Sequence, residues 1–171
     1  LDGIVNWKVS KIAGLSLDRD IIRFARDEFN LVLGEMVAEE IKKKIGAAVD
    51  LSEPLEIPMR GRDVLTGLPR EVMVNNIQIQ QAIFKSIKAI VDTIKSTLEA
   101  TPPELVADIY QKGIILTGGT SQLKGIDVFI AQAVQVPVHI ADDAQTCAVR
   151  GMGVILDDES LLRDLTVPSS Q

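Results

Sequence analysis

Cysteine and histidine are almost missing from this chain of 171 residues: each occurs once, as Cys147 and His139. A single thiol excludes an internal disulfide framework and a cysteine-based zinc site, and a single imidazole excludes a histidine metal cluster. Such usage fits a reducing cytosol. No apolar run approaches the roughly 20 residues that a membrane-spanning helix needs. The opening LDGIVNWKVS has no basic region followed by an apolar stretch, so it does not read as a signal peptide. It also lacks a start methionine and opens in what reads as a strand, which suggests a fragment, a processed chain or a trimmed one. Clustered positive charge is equally scarce. With a net charge of −6, the densest basic stretch is Lys42-Lys43-Lys44, inside a mixed-charge helix. It reads as a solvated helix face, and the charge argues against a nucleic-acid backbone binder. There is no internal repeat and no low-complexity tract.

What the chain does have is apolar residues, 46% of the total. That is enough for one good core or two small lobes sharing a cleft, with an excess expected to lie under a partner surface. Ile4 to Ile12 reads as a strand, ended by Ala13-Gly14. Ser16 is placed to cap a helix that sets Ile21, Ile22, Ala25 and Phe29 on one face. Gly34 breaks it, and a second helix from about Glu35 to Ala48 carries Val37, Ala38, Ile41 and Ile45. The period then changes. Leu55, Ile57 and Met59 alternate, as do Val72 and Val74, which predicts a hairpin with a long connection through GRDVLTGLPR. From about Ile77 to Glu99 the repeat of Ile83, Ile87, Ile90, Ile94 and Leu98 predicts the longest helix, roughly 35 Å at 1.5 Å per residue. It is expected to span both lobes. After Thr101-Pro102-Pro103-Glu104 starts a short helix, the order becomes strand (Gly113 to Leu116), helix (Gln122 to Val134), strand (Val136 to Ile140), helix (Thr146 to Leu156). The tail after residue 160 is expected to be disordered.

The run GIILTGGTSQLKG, Gly113 to Gly125, takes a buried strand through Thr117-Gly118-Gly119 into a helix. Glycines let the backbone turn tightly and approach a ligand, and a following helix offers unpaired amides to an anionic or polar group. By itself an ordinary turn is the commoner reading. It is neither a phosphate-binding P-loop nor a G-x-G-x-x-G fingerprint.

The longer stretch from Gly113 to Gly153 resembles the C-terminal part of the MreB-type rod-shape proteins, which are bacterial actin homologues. FNLVLGEMVAEEIKKKIGAA, RGRDVLTGLPR and TPPELVADI resemble family segments in the same order, so the likeness covers about Val5 to Leu156. It implies an α/β, actin-like (ribonuclease H-like) second domain of the ATPase superfamily. That fold has an incomplete mixed sheet with flanking helices and a smaller helix and hairpin lobe. The implied division is residues 1–33 and 100–160 as a larger, nucleotide-side subdomain and 34–99 as a smaller one, with 161–171 as the disordered tail. The implied function is part of an ATP-binding, filament-forming bacterial cytoskeletal protein that maintains cell shape in the cytoplasm. Its partners would be further copies of itself, head to tail, and other cell-shape machinery. Neither nucleic acid nor direct membrane contact is implied for this segment.

The likeness also implies site residues. Gly118, Gly119 and Thr120 would lie beside the adenosine, and Gly14 near the phosphates. Across the cleft, Glu39 and Lys42, at i and i+3 on one helix side, would accept from ribose hydroxyls and lie along the adenine with a free ammonium. Read without the likeness, they are a surface pair. Two positions depart from the family pattern. Thr120 replaces a third glycine, so its hydroxyl either donates to phosphate or crowds the nucleotide. Leu15 stands where an aspartate is usual and cannot coordinate a phosphate or a metal-bound water. The family's phosphate-gripping loops and catalytic acids have no counterpart here, so no catalytic or metal residue is assigned. Mg²⁺ would come with the complete two-domain protein, and the isolated chain is not expected to be a competent ATPase.

Other features have plainer readings. His139 is expected in core packing, Cys147 as a buried thiol, and Asp142-Asp143 as a helix cap. Gly151 and Gly153 suggest a close helix contact or cleft approach. Arg60 to Arg70 is a candidate subunit interface. The rival functions are a degenerate actin-like interaction module without nucleotide binding, and another ATPase of the actin and chaperone superfamily.

Overall fold

The computed structural model describes residues 4–158; the tail expected to be disordered, 161–171, lies outside them. The first helix, α1 (Gly14–Phe29), buries Leu17, Ile21 and Ala25 on one face. It ends at Asn30, whose left-handed backbone (φ 53°) turns its N–H onto Ala25 and Arg26 carbonyls. A short β1 (Leu31–Val32) leads into α2 (Glu35–Ile45), which buries Ala38, Ile41 and Ile45. The alternating segment forms β2 (Glu56–Asp63) and β3 (Pro69–Asn75), paired antiparallel from Glu56 opposite Asn75 to Arg62 opposite Pro69. β1 joins the free edge of β2, giving the order β1-β2-β3.

α3 (Asn76–Glu99) follows without a loop. Asn75 accepts the Gln78 amide at 2.9 Å, and the Gln78 side chain accepts the Asn75 amide at 3.0 Å, so the helix start is capped in both directions. Its stripe of Ile79, Ile83, Ile87 and Val91 is buried and packs against α1, α2 and, further along, α5. Each such side chain stabilises the fold by about 1.5–3 kcal/mol through removal from water. Beyond α4 (Pro103–Lys112) come β4 (Ile114–Leu116), a 3₁₀ turn at Gly119–Gln122, α5 (Ile126–Val134), β5 (Val138–Ile140) and α6 (Cys147–Asp157). β4 and β5 pair in parallel, from Ile114 opposite Val138 to Leu116 opposite Ile140, with α5 as the crossover. A continuous buried cluster joins α1, α2, the hairpin, α3 and α5.

Several expectations need correction. Residues 4–12 form no strand, because a strand needs a neighbour for its amides and carbonyls. Trp7 and Val9 are exposed, and the segment is tied down instead by Asn6 and Lys8 donating to the Thr97 and Ser96 carbonyls. Ser16 is not the cap of α1: the helix begins at Gly14, and the Ser16 hydroxyl accepts the Ala13 amide at 3.4 Å from inside the first turn. The hairpin connection is short, residues 64–68, because Asp63 folds it with its own side chain. Oδ1 accepts the Leu65 and Thr66 amides, both at 2.9 Å.

The single helix expected from Gln122 to Val134 is interrupted at Gly125. Gly125 has φ 69°, and a side chain there would collide with Val49. β5 is shorter than expected and mostly exposed, so His139 faces outward rather than packing in a core. Cys147 is half-buried. Neither Asp142 nor Asp143 caps α6: Thr146 occupies the cap position, its hydroxyl donating to Asp143. Gly151 and Gly153 face open space, with nothing close to either.

Candidate functional site

The strand β4 delivers the chain to Gly118, whose φ of 85° is open to glycine and strained for other residues. Its N–H donates to the Ala144 carbonyl at 2.6 Å, and its own carbonyl accepts the buried Ser121 hydroxyl at 2.7 Å. A side chain at Gly118 or Gly119 would meet no atom within 4 Å, so the turn presents bare backbone to open space. The α-helix expected directly after the glycines begins only at Ile126. The helix N-terminus that reaches this region is that of α1, whose first amides, at Gly14 and Leu15, have no partner within a helix.

The far edge of the turn is stitched to the end of α2. Ala47 and Lys124 form a single parallel β-bridge, Ala48 donates to the Lys124 carbonyl at 2.8 Å, and Lys124 Nζ donates to the Lys44 carbonyl. This brings α2 and the glycine turn to one place, with the start of α1 between them. The position that a Gly14 side chain would occupy lies 2.9 Å from Thr120 Oγ1 and 3.6 Å from Lys42 Nζ. Gly14, Lys42 and Thr120 therefore pack close together, and a side chain at Gly14 would crowd the Thr120 hydroxyl.

Glu39 and Lys42 do not act as the pair that their spacing suggests. Glu39 turns outward to Lys43, 2.8 Å away, and that hydrogen bond holds its carboxyl below the usual carboxylate range. The Lys42 ammonium is not free. Its side chain is 14% exposed, sits 2.7 Å from Asp18 Oδ1, and donates to the Gly14 carbonyl at 3.1 Å. Asp18 escaped the reading of the sequence. The available signal was an acid beside Leu17 on the apolar face of α1, where a charge needs a partner. Leu15 is exposed at the start of the same helix.

A cavity of about 210 Å³ opens beside the turn, between α3 and β4, with Ile90, Ile94, Leu116, Thr120 and Ile130 among its lining residues. Among the described residues, no three His, Cys, Asp or Glu side chains gather to hold a metal ion, and no helix is long and apolar enough to cross a membrane. The arrangement sets one ammonium and one hydroxyl beside a stretch of glycine backbone.

The profile of the family described as MreB/Mbl protein matches residues 1–164. The cell shape-determining protein Mbl of Bacillus subtilis is 40% identical over 155 residues, which are 91% of this chain and 46% of that protein. The cell shape-determining protein MreB of Escherichia coli is 36% identical over 157 residues, 92% of this chain and 45% of that protein. The chain thus spans less than half the length of these curated relatives. Among solved structures, MreB5 of Spiroplasma citri bound to ADP superposes with a TM-score of 0.87 at 33% identity, covering 90% of this chain and 47% of that one. The same protein bound to AMPPNP gives 0.88 at 32%, covering 94% and 48%. A MamK double helical filament, at 19% identity and 0.74, covers 88% and 46% and shares the fold.

Proposed function

Because this chain belongs to the MreB/Mbl protein family and has its actin-like fold, we propose that it forms the adenosine side of a nucleotide cleft. The whole protein would be an ATP-binding, filament-forming element of the bacterial cytoskeleton that maintains cell shape. The observation that carries this reading is the convergence of Gly14, Lys42 and Thr120 beside the bare Gly118-Gly119 backbone. Those groups fit an adenine nucleotide. Gly118 and Gly119 let the ligand approach the main chain, and Thr120 and Lys42 donate to its acceptor atoms. Glu39 swings from Lys43 to accept ribose hydroxyls. The MreB5 structures with ADP and AMPPNP support the choice of ligand. ATP brings the phosphoryl chemistry, and Mg²⁺ ligation falls to the remainder of a two-domain protein. Residues 1–33 and 100–160 serve as the nucleotide-side subdomain and 34–99 as the smaller one. The protein works in the cytosol, and its partners are further copies of itself, joined head to tail through unlike surfaces that permit an open polymer, and other cell-shape machinery.

One observation favours the rival, an interaction module without nucleotide. Both Lys42 and Glu39 already have partners within the chain. Titration of ATP with Mg²⁺ into the polypeptide as its gene encodes it separates the two. Saturable binding that Glu39→Ala and Lys42→Ala weaken supports the nucleotide cleft. No binding, with both variants silent in every assay, leaves the module. Sedimentation of polymer in the presence of ATP tests self-assembly separately.

A further inference from the structure

A lysine ammonium has three donors and no acceptor. For Lys42, one donor goes to the Gly14 carbonyl, and the charge lies beside Asp18. The Thr120 hydroxyl lies close by, on the same side of Gly14 as the ammonium. Asp18 is unusual in how it holds this group. Its side chain is 7% exposed and Oδ1 lies 2.7 Å from Nζ, yet no donor is aligned for a hydrogen bond to that oxygen. The attraction is therefore mainly Coulombic. It depends on distance and little on the ammonium's rotation, and it is strong because both groups are largely withdrawn from water. An ammonium held in this way can turn a hydrogen toward a ligand without leaving its counter-ion.

We infer that Asp18 is the positioning residue for Lys42: it holds the ammonium beside Gly14, available to the acceptor atom of a bound adenine nucleotide. This rests on the nucleotide reading given above. Asp18 touches no ligand itself and acts only through Lys42. Without it the ammonium has no counter-charge beside it and turns out toward water.

The test is a double-mutant cycle in ATP affinity, measured by calorimetric titration of the polypeptide as its gene encodes it, with thermal unfolding read in parallel. Asp18→Asn and Lys42→Gln each weaken binding roughly tenfold, the scale of one hydrogen bond to a charged group. The double variant binds no more weakly than Lys42→Gln alone. A structural role for Asp18 would lower the unfolding temperature without producing that coupling. If Asp18→Asn does not fold, Asp18→Glu decides, since it keeps the charge and moves it by one methylene. Weaker ATP binding at an unchanged unfolding temperature supports the inference, and unaltered binding overturns it. Loss of affinity in Lys42→Gln but none in Asp18→Asn, or effects that simply multiply in the double variant, overturns this inference alone. Wild-type protein that binds no ATP overturns the nucleotide reading and the inference with it.

Discussion

Arg70 Nη1 lies 2.9 Å from Asp63 Oδ2 and 3.0 Å from the Phe29 carbonyl, so one guanidinium ties the hairpin turn to the end of α1. Asp63 gains further from the amides of Thr66 and Leu65, and these contacts hold its carboxyl down to about 2. The amide of Thr66 is the first cause and Arg70 the second.

A pH dependence follows. A carboxylate depressed in the folded state contributes stability that is present above its unfolded value, near 3.9, and lost as pH falls through the folded one. Wild-type protein should therefore lose stability between about pH 4 and pH 2 partly through Asp63, and Asp63→Asn should lose less over that window. Urea unfolding at stepped pH measures this; parallel pH curves for the two proteins would remove Asp63 from the account.

The buried stripe of α3 makes a stability prediction. Ile83 is fully buried and Ile77, on the same helix, is about half exposed. Ile83→Ala should destabilise by about 2–5 kcal/mol through lost burial and the cavity left behind. Ile77→Ala should stay within about 0.5 kcal/mol. Denaturant midpoints at constant slope decide between them.

At the start of α3, Asn75→Ala removes the acceptor for the Gln78 amide. A loss of about 1 kcal/mol is expected, with Asn75→Ser close to wild type. Hydrogen exchange at the first turn of α3 should speed up before the rest of the helix does.

The two turn glycines should separate fold from function. Gly118→Ala places a side chain at φ 85° and should cost about 1–3 kcal/mol in backbone strain, although nothing crowds it. Gly119 has an ordinary φ and open space around it, so Gly119→Ala should leave the unfolding temperature unchanged. On the nucleotide reading proposed above, it should also weaken ATP binding, because the added methyl would stand in the path of the ligand. Equal affinity in Gly119→Ala and wild type would move the ligand away from this turn.

Long periodic elements were readable from the sequence, and contacts between distant residues were not. α3 showed itself through several turns of isoleucine at helical steps, and the hairpin through alternation on both strands. Residues 4–12 alternate just as well, but alternation cannot supply a neighbouring strand. The hairpin connection seemed long because Asp63 was counted among the loop residues it organises. The spacing of Glu39 and Lys42 set them on one side of α2. Their ends were then drawn apart by Lys43, one helical turn away, and by Asp18, on another helix. Gly14 and the glycine turn were readable singly. Their meeting depends on the Ala47–Lys124 bridge, which joins segments far apart in the chain and follows no period.

That bridge has a thermodynamic consequence. Since the end of α2 and the turn are fastened to each other by the chain itself, the groups around Gly14 are ordered when the chain folds. For the nucleotide cleft proposed above, the entropy of ordering them would be offset by the core, leaving more of the contact energy to appear as affinity. Affinity and global stability are then linked. Ligand should raise the unfolding temperature by mass action, and changes that loosen the packing of α2 should weaken binding without touching any residue that meets the ligand.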